Sequence, residues 1–442
     1  MARCKTIPLR ETLCKMFPSA RLRELARESG AVQRERKVDV VALFWTLVLG
    51  FGVGEKRTLA GLRRAYQRAT GQELEESSFY NRFTGGLVGM LKGACEEGLA
   101  NMAGTARSLT GPLSAFRDLI LTDATVMRLK DLLADAFPAC RTNHTRAALK
   151  LHAVMSVTGA GRRSVKLTAE RRHENRVLTA GPWMRGMLLL FDLGYYDFAL
   201  FARIHAHGGY FLTRLKRNAN PLITALYRTH RGRAIELIGR KLQDVLAELR
   251  RETLDVEVQV AFARRGYAGQ RRRESLRLRV VGIKDAVSGD YHLYLTNIPP
   301  EKLEASDIRA VYAARWQVEL LFKELKSTYR IDELPSQRRA VVEALIYAAI
   351  LTFTVSRRLL AAVSAKLKHL TERLPAQRWA RVFAAVAQDL LFLLLHPPRH
   401  APLIARGVVA MLLHEAPDPN LNRPSLIRAI ELRRHAYRPR PA

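Results

Sequence analysis

The 442-residue sequence contains only four cysteines, too few to stabilise a chain of this length through disulfides. They form no CxxC pair, which argues against a zinc site and favours reduced thiols at Cys4, Cys14, Cys95 and Cys140. No apolar stretch follows the first basic residues, so we expect no secretory signal. A small secreted scaffold and a zinc-ribbon protein are therefore both unfavourable interpretations.

The sequence also lacks a hydrophobic run that could cross a bilayer. The most apolar helix-like run, Ala344–Ser356, is followed by Arg357 and Arg358 and preceded by Glu343. It falls well short of the roughly 20 apolar residues that a membrane-spanning helix needs. We predict a buried core helix there and no membrane partner.

Acidic residues are scarce relative to basic ones. The chain has 41 Asp and Glu against 73 Lys and Arg, a formal net charge of +32 and an isoelectric point of about 10.7. A hydrophobic content of 48% excludes a disordered chain, and the length predicts several folded domains. An excess of this size on folded domains points to a polyanionic partner, nucleic acid before an anionic membrane surface.

The N-terminal region is predicted to be helical. The basic amphipathic segment Leu59–Ala69 is followed by a break at Thr70 and Gly71 and a short helix near Ser77–Phe83. This order loosely fits a helix-turn-helix motif, and an ordinary helical bundle with basic faces fits about as well. In the first interpretation the base-reading candidates are Ser78, Tyr80, Asn81 and Arg82.

From about residue 117 the pattern changes to strands. Leu119–Leu121 leads into Asp123, Ala147–Val157 and Ser164–Ala169 form a predicted hairpin, and Met187–Phe191 is a continuous apolar run that ends at Asp192. A helix-like segment and a further strand then follow. Three successive strands and then alternating helix and strand predict an α/β fold with a mixed sheet.

Residues 218–302 are predicted to interrupt this order with a β-rich insertion. Its segment Arg264–Arg279 holds seven arginines, including Arg271, Arg272 and Arg273, which we take as candidate DNA contacts. From about Ser306 the chain is predicted to be helical, and it closes with a basic tail.

Asp123 and Asp192 each follow a predicted buried strand. Carboxylates at such positions converge where α/β sheets commonly build sites. Turns and caps place aspartates at strand ends as well, and spacing alone does not exclude three others: Asp118, Asp131 and Asp197.

The segment Val311–Lys326 has good helix formers and no glycine or proline. On one continuous helix, at about 100° per residue, four polar side chains fall within a sector of roughly 60°; they are Tyr312, Arg315, Glu319 and Lys326. A separate apolar face would dock on a sheet. An ordinary surface helix carries similar i,i+4 ion pairs without any function.

Three acids, Asp123, Asp192 and Glu319, suffice to hold two divalent ions. Two-metal sites place ions about 3.5–4 Å apart and stabilise both the attacking and the leaving oxygen of an in-line displacement at phosphorus. Mg²⁺ suits such a site because it shares its coordination shell between a few carboxylates, water and phosphate.

The sequence resembles the DDE transposases of the bacterial insertion-sequence type-four family. Tyr312, Arg315, Glu319 and Lys326 match the family pattern Y-(2)-R-(3)-E-(6)-K at every position and gap. Asp123-Ala124-Thr125 and Asp192-Leu193-Gly194 resemble its first and second acidic motifs. The resemblance is good over roughly residues 115–330 and only general in the flanks.

This resemblance implies a ribonuclease-H-like catalytic core. Its parts would be residues 111–217 and 303–365, separated by the insertion at 218–302 and flanked by a helical DNA-binding domain (1–110) and a C-terminal helical region with a basic tail (366–442). The implied metal ligands, for two Mg²⁺ or Mn²⁺ ions, are Asp123, Asp192 and Glu319. The implied phosphate contacts are Tyr312, Arg315 and Lys326.

The resemblance further implies a DNA transposase that binds terminal inverted repeats of an insertion sequence and carries out metal-dependent strand cleavage and transfer. We expect double-stranded DNA as the partner, a homodimer in the DNA complex and a cytoplasmic, nucleoid-associated location. Trp316 and Trp183 are candidates for stacking a flipped base. The alternatives are a related nuclease or resolvase and a non-catalytic DNA-binding protein from a decayed element.

Overall fold

The structure is a computed structural model of the chain. It describes residues 8–32, 38–50, 57–102, 107–140, 145–227, 236–249, 251–265, 271–367, 373–396, 402–421 and 424–433. Cys4, residues 266–270, the side chains of Arg264, Arg265, Arg271 and Arg272, and the residues after 433 lie outside that description.

The N-terminal region is helical, as predicted. Asp39 caps the third helix by accepting the Ala42 amide at 2.7 Å, and this helix is buried on nearly all sides. Gly71, at a φ of 70°, ends the fourth helix in the left-handed conformation that suits glycine. The helices are α1 Leu9–Met16, α2 Ser19–Glu28, α3 Val40–Leu49, α4 Leu59–Thr70, α5 Glu76–Tyr80 and α6 Gly85–Asn101.

In the described part of the chain, nine strands form one mixed sheet in the order β3-β2-β1-β4-β5-β9-β8-β7-β6. The pairs β1–β4 and β4–β5 are parallel and all other pairs are antiparallel. The strands are β1 Asp118–Leu129, β2 Ala147–Ser156, β3 Ser164–Ala169, β4 Met187–Phe191, β5 Tyr210–Arg214, β6 Leu222–Leu226, β7 Thr253–Arg265, β8 Arg271–Lys284 and β9 Tyr291–Thr296.

Helices cover both faces of this sheet. They are α7 Phe198–Ala206, α8 Leu242–Leu246, α9 Ala305–Ala313, α10 Trp316–Ser327, α11 Arg339–Lys366, α12 Ala376–Leu395, α13 Pro402–His414 and α14 Leu426–Glu431. One face of the sheet packs with α9 to α12 and the N-terminal helices in a single hydrophobic core. The other face packs with α7 and α8 in a second core. The predicted mixed α/β architecture with flanking helices is confirmed.

The region predicted as an insertion holds four strands that continue the core sheet. β9 pairs with β5, and β8, β7 and β6 follow outward from it. The sequence did not reveal β6, a short segment that pairs irregularly with β7. The boundaries at residues 110, 217, 302 and 365 remain predictions.

The basic segment of this region is mostly strand. β7 runs to Arg265 and β8 starts at Arg271, so the strands reach further than the hydrophobic pattern indicated. Arg279 is only 3% exposed and makes a two-pronged ion pair with Asp255, at 2.7 Å from both Nε and Nη2. Arg279, one of the seven arginines of this segment, is therefore a structural residue and does not contact DNA as a free surface cation would.

The helix α11 contains the apolar run singled out in the sequence. It is long and apolar enough to cross a membrane by length and composition alone, but 83% of its apolar window is buried inside the protein. It packs against α3 and α6, as expected of a core helix.

Asp118 at the start of β1 holds the turn between β2 and β3. Its carboxylate is fully buried and accepts hydrogen bonds from Ser156 Oγ (2.5 Å) and from the amides of Thr158 (2.9 Å) and Gly161 (2.8 Å). A Cβ at Gly161 would lie 2.3 Å from Ile120 Cδ1, so any larger residue there would force the end of the Ile120 side chain to move. Asp118 is therefore a structural residue that ties the β2–β3 turn to β1.

We expect Asp118→Ala to lower the free energy of unfolding by about 2–4 kcal/mol, because several buried donors lose their acceptor. Chemical denaturation monitored by circular dichroism measures this. Asp131→Ala is the matched control, since Asp131 is exposed and accepts one amide, that of Arg146; its cost should stay below about 1 kcal/mol. Equal stability losses in the two variants would contradict the structural role of Asp118.

Candidate functional site

Strand pairing places the first two predicted carboxylates side by side. β1 and β4 pair in parallel up to Thr122 and Phe191, so Asp123 and Asp192 are the next residues on neighbouring strands. Asp192 follows β4 directly, as predicted. The prediction that a strand ends at Asp123 is wrong, because Asp123 lies inside β1, which continues to Leu129. Asp123 does come directly after the last residue of β1 that pairs with β4.

Both aspartates lie on the same face of the sheet. Leu119 and Leu121 belong to the core that contains α10, whereas Ile120 belongs to the opposite core. By the alternation of side chains along a strand, Asp123 falls on the α10 side. Leu188 and Leu190 place Asp192 on that side by the same argument.

The helix α10 brings the third carboxylate to this face. Val318, Phe322 and Leu325 are buried against the sheet, as the predicted apolar face required. Glu319 lies beside that face, and its side chain is 33% exposed. The three acids are thus brought together from β1, the end of β4 and α10.

The predicted single helix is two helices. α9 ends at Ala313 and α10 begins at Trp316, and across the junction the amides of Arg315, Gln317 and Val318 each bond to the carbonyl three residues earlier. This tighter 3₁₀ winding breaks the 3.6-residue period. Tyr312 therefore belongs to α9 and Arg315 to the junction, so the four polar side chains do not share one helix.

Arg315 links two of the carboxylates. Its Nη1 lies 3.3 Å from Asp123 Oδ2 and its Nη2 lies 2.5 Å from Glu319 Oε1. The guanidinium is also 5.9 Å from the ring centroid of Tyr312, which packs in turn on Tyr294. With only 16% of its side chain exposed, Arg315 offsets negative charge where water does so poorly.

The environment favours the protonated form of Asp123. Burial raises the pKa of Asp123 to about 6, helped by the charges of Asp192 and Glu319 and opposed by the Ala124 amide and Arg315. The charges of Asp192 and Glu319 both act on the Asp123 carboxyl, so the three acids are close enough to interact electrostatically. Such clustering of negative charge is typical of sites that bind cations.

Lys326 and Tyr312 lie at the margins of the site. Lys326 Nζ donates to the Val126 carbonyl at 3.2 Å, three residues beyond Asp123, and so fastens α10 to β1. Tyr312 is 8% exposed, and burial raises the pKa of its hydroxyl. Their phosphate contacts remain predictions.

The competing aspartates have structural partners. Asp197 caps α7 by accepting the Ala199 amide at 2.9 Å, and it also accepts from Asn175 Nδ2 at 3.1 Å. Asp131 accepts the Arg146 amide at 2.8 Å, and Asp118 holds the β2–β3 turn. None of the three belongs to the cluster around Arg315.

The predicted DNA-contacting residues are spread over the surface. Ser78 lies on α5, a helix of only five residues, and Asn81 and Arg82 come directly after it. Asn81 and Arg273 are exposed, while Ser78 and Arg82 are half-buried. The structure contains no contact that assigns any of them to DNA, so these roles remain predictions.

Two tryptophans were candidates for base stacking. Trp316 is 54% exposed at the start of α10, next to Arg315. Trp183 donates its Nε1–H to the Thr179 carbonyl at 3.1 Å and lies on the opposite face of the sheet, packed against the second core. Both assignments remain predictions.

A further acid near the site was not identified from the sequence. Glu174 lies against Gly194, two residues after Asp192: a Cβ at Gly194 would be 3.5 Å from Glu174 Cδ. Lys150 Nζ holds this carboxylate at 2.7 Å, and the pairing lowers the pKa of Glu174 against the opposing effect of burial. No sequence pattern signals the contact, since Glu174 and Lys150 are 24 residues apart.

Comparison with known proteins identifies the family. Residues 114–354, more than half of the chain, match the transposase DDE domain family. The chain belongs to the DDE transposases. These enzymes act on DNA and depend on divalent metal ions, and the matched residues contain all three carboxylates and the Tyr-Arg-Glu-Lys set.

The chain is also similar to several transposases of bacterial insertion sequences. The transposase for insertion sequence element IS231B of Bacillus thuringiensis subsp. berliner is 20% identical over 372 residues, 78% of each chain. The one for element IS231F of Bacillus thuringiensis subsp. israelensis is 22% identical over 374 residues, again 78% of each. The transposase for element IS421 of Escherichia coli is 34% identical over a shorter stretch of 73 residues, 16% of this chain and 20% of that protein.

The donor set fits the metal dependence of the family. Three carboxylates supply hard oxygen ligands. Burial raises the pKa of Asp123, and the charges of Asp192 and Glu319 add to that rise. Within the residues that the structure describes, no three His, Cys, Asp or Glu side chains are grouped closely enough to hold a metal ion. Arg315 contacts both Asp123 and Glu319, so a metal ion would compete with Arg315 for these oxygens.

We expect metal affinity to fall below pH 6. Asp123 must lose its proton before it binds an ion, so affinity should drop up to tenfold per pH unit below the pKa of about 6 and level off above it. Electron paramagnetic resonance of Mn²⁺ between pH 5 and 8 measures this. Asp123→Asn is the control and should show weak binding without an inflection near 6. Wild-type affinity that stays constant over this range would contradict the assignment.

Proposed function

We propose that this transposase uses Asp123, Asp192 and Glu319 to hold two Mg²⁺ or Mn²⁺ ions that cleave and join DNA at the ends of an insertion sequence. The observation that carries the proposal is that Arg315 contacts both Asp123 in β1 and Glu319 on α10. Asp192 follows β4, the strand that pairs with β1 up to the residue before Asp123, and it falls on the same face of the sheet.

The strand order supports a ribonuclease-H-like core. The first five strands are arranged β3-β2-β1-β4-β5, with β2 antiparallel to β1 and with β4 and β5 parallel to it. The parallel strands β4 and β5 are joined by a crossover through α7, as is usual for neighbouring parallel strands. This arrangement supports a ribonuclease-H-like core that is interrupted between β5 and α9 by the remaining strands.

Each side chain has a distinct task in the proposed mechanism. Two bound ions would lower the pKa of a water or of a DNA 3′-hydroxyl so that it can attack phosphorus, and they would stabilise the charge on the leaving oxygen. Asp123 and Asp192 are set by their strands, so they present oxygens at a fixed spacing. Glu319 is set by α10, and Arg315 is placed to turn from its carboxylates to a phosphate oxygen as DNA enters.

The basic surface would hold the DNA around this site. Lys326 and Tyr312 border the carboxylates and would contact the phosphates next to the scissile bond. Arg273 is exposed on β8, and α4 carries three further arginines, Arg63, Arg64 and Arg68. A net charge of +32 supports binding to double-stranded DNA through many phosphates.

We also infer that the protein acts as a homodimer that bridges two element ends and that it works in the cytoplasm beside the nucleoid. Size measurement of the complex with end DNA tests the dimer. The alternatives, a nuclease or resolvase and a non-catalytic DNA binder, are separated by the products: joined strands, cut strands only, or no cleavage.

Glu319→Gln and Asp192→Asn should abolish strand cleavage, lowering the rate by at least about 10³-fold, because each removes an anionic metal ligand. Binding of end DNA should change little. Cleavage of a labelled element end and a gel-shift titration measure the two properties. Asp131→Asn, which alters an exposed carboxylate away from the cluster, should cleave normally. Full cleavage by either ligand variant would refute the site.

DNA affinity should fall by roughly 10³-fold or more between 50 and 200 mM salt if several phosphates are neutralised. Fluorescence anisotropy with a labelled end duplex gives the slope. A flat response would show that the excess positive charge does not serve DNA binding.

A further inference from the structure

A buried ion pair holds the helix that carries Glu319. Glu324, on α10, is only 2% exposed, and Arg357 Nη2 on α11 contacts its Oε2. Burial raises the pKa of Glu324, and the charge of Arg357 opposes that rise. The contact joins residues that are 33 positions apart in the chain.

Glu324 points away from the catalytic carboxylates. It lies five residues after Glu319, which corresponds to about 140° around the helix. Glu319 contacts Arg315 on the side of the site, whereas Glu324 contacts α11. A rotation of α10 that moved one of these side chains would therefore displace the other.

The partner side of the pair is itself fixed. The Arg357 guanidinium lies 4.8 Å from the ring centroid of Phe353. Next to Arg357, Ser356 Oγ accepts from the Tyr329 hydroxyl at 2.8 Å and from Trp379 Nε1 at 2.9 Å. The chain just beyond α10, α11 and α12 are thus joined at one buried polar centre.

The apolar face of α10 does not define its rotation by itself. Hydrophobic contacts are non-directional, so Val318, Phe322 and Leu325 tolerate small rotations and shifts of the helix. The 3₁₀ junction at Arg315 separates α10 from α9, so α9 does not dictate the rotation either. A buried ion pair is directional, and its desolvation makes it a poor source of net stability.

We propose that the Glu324–Arg357 pair, together with the Lys326–Val126 contact, sets the rotation of α10 and thereby places Glu319 for metal binding, so that Glu324 is a positioning residue of the transposase. This inference rests on the proposed role of Glu319 as a metal ligand. It assigns to Glu324 no contact with metal or DNA, and it predicts an effect on metal affinity that is separate from stability.

The test compares Glu324→Gln with the double variant Glu324→Met and Arg357→Met, which replaces the pair by apolar side chains of similar length. The double variant should keep a melting temperature within a few degrees of the wild type, because no buried charge is left unpaired. Both variants should bind Mn²⁺ at least tenfold more weakly by electron paramagnetic resonance. Both should lower kcat for cleavage while leaving KM for end DNA within twofold.

Excess Mn²⁺ should restore kcat in these variants, since their metal ligands are intact. Glu343→Gln is the matched control: it breaks the Arg339–Glu343 pair on α11, whose Nη2–Oε1 distance is 3.2 Å, and should change none of these quantities. If the double variant folds and binds Mn²⁺ as the wild type does, the inference is wrong.

Glu324→Asp decides the matter if the double variant fails to fold. It keeps the charge but shortens the side chain, so a weaker Mn²⁺ affinity with a preserved melting temperature supports positioning. Unchanged affinity overturns it. Failure of the proposed function gives a different result, because Glu319→Gln would then cleave DNA normally whatever the Glu324 variants do.

Discussion

The site depends on one guanidinium placed between two carboxylates. Arg315 contacts Asp123 and Glu319, and these acids come from elements that are distant in the chain. Without a cation between them, the two half-buried carboxylates would repel one another. In the proposed mechanism the carboxylates exchange Arg315 for metal ions, and Arg315 then contacts a DNA phosphate. An arginine suits this exchange because it stays charged and presents several donors in a fixed fork.

The excess of positive charge is divided among structural and DNA-facing tasks. Arg279 forms a buried ion pair with Asp255, and Arg357 forms one with Glu324, so neither charge is available to DNA. Exposed arginines such as Arg273 are left to attract DNA. Net charge therefore indicates the class of partner, while the structure decides which cations are free to meet it.

Much of the site could be predicted from the sequence because its parts are local patterns. The spacing of Tyr312, Arg315, Glu319 and Lys326 and the apolar run before Asp192 are visible without coordinates, and the strands around them followed from alternation and buried runs. The junction between α9 and α10 was not visible, since nothing in the local composition breaks the helix there. The roles of Asp118 and Arg279 were also hidden, because both are defined by partners far along the chain. Charged residues look alike in a sequence until their burial is known.

The continuous sheet fixes the position of its longest hairpin relative to the carboxylates. The β7–β8 hairpin pairs residues over thirteen positions, from Thr253 with Ile283 to Arg265 with Arg271. At about 3.3 Å per residue this is an arm of roughly 40 Å. Because β8 pairs with β9 and β9 with β5, the arm is joined by backbone hydrogen bonds to the strand beside β4, which Asp192 follows. The hairpin is therefore a rigid extension of the sheet that carries the carboxylates, so an exposed side chain on it, such as Arg273, keeps a fixed position relative to Asp192.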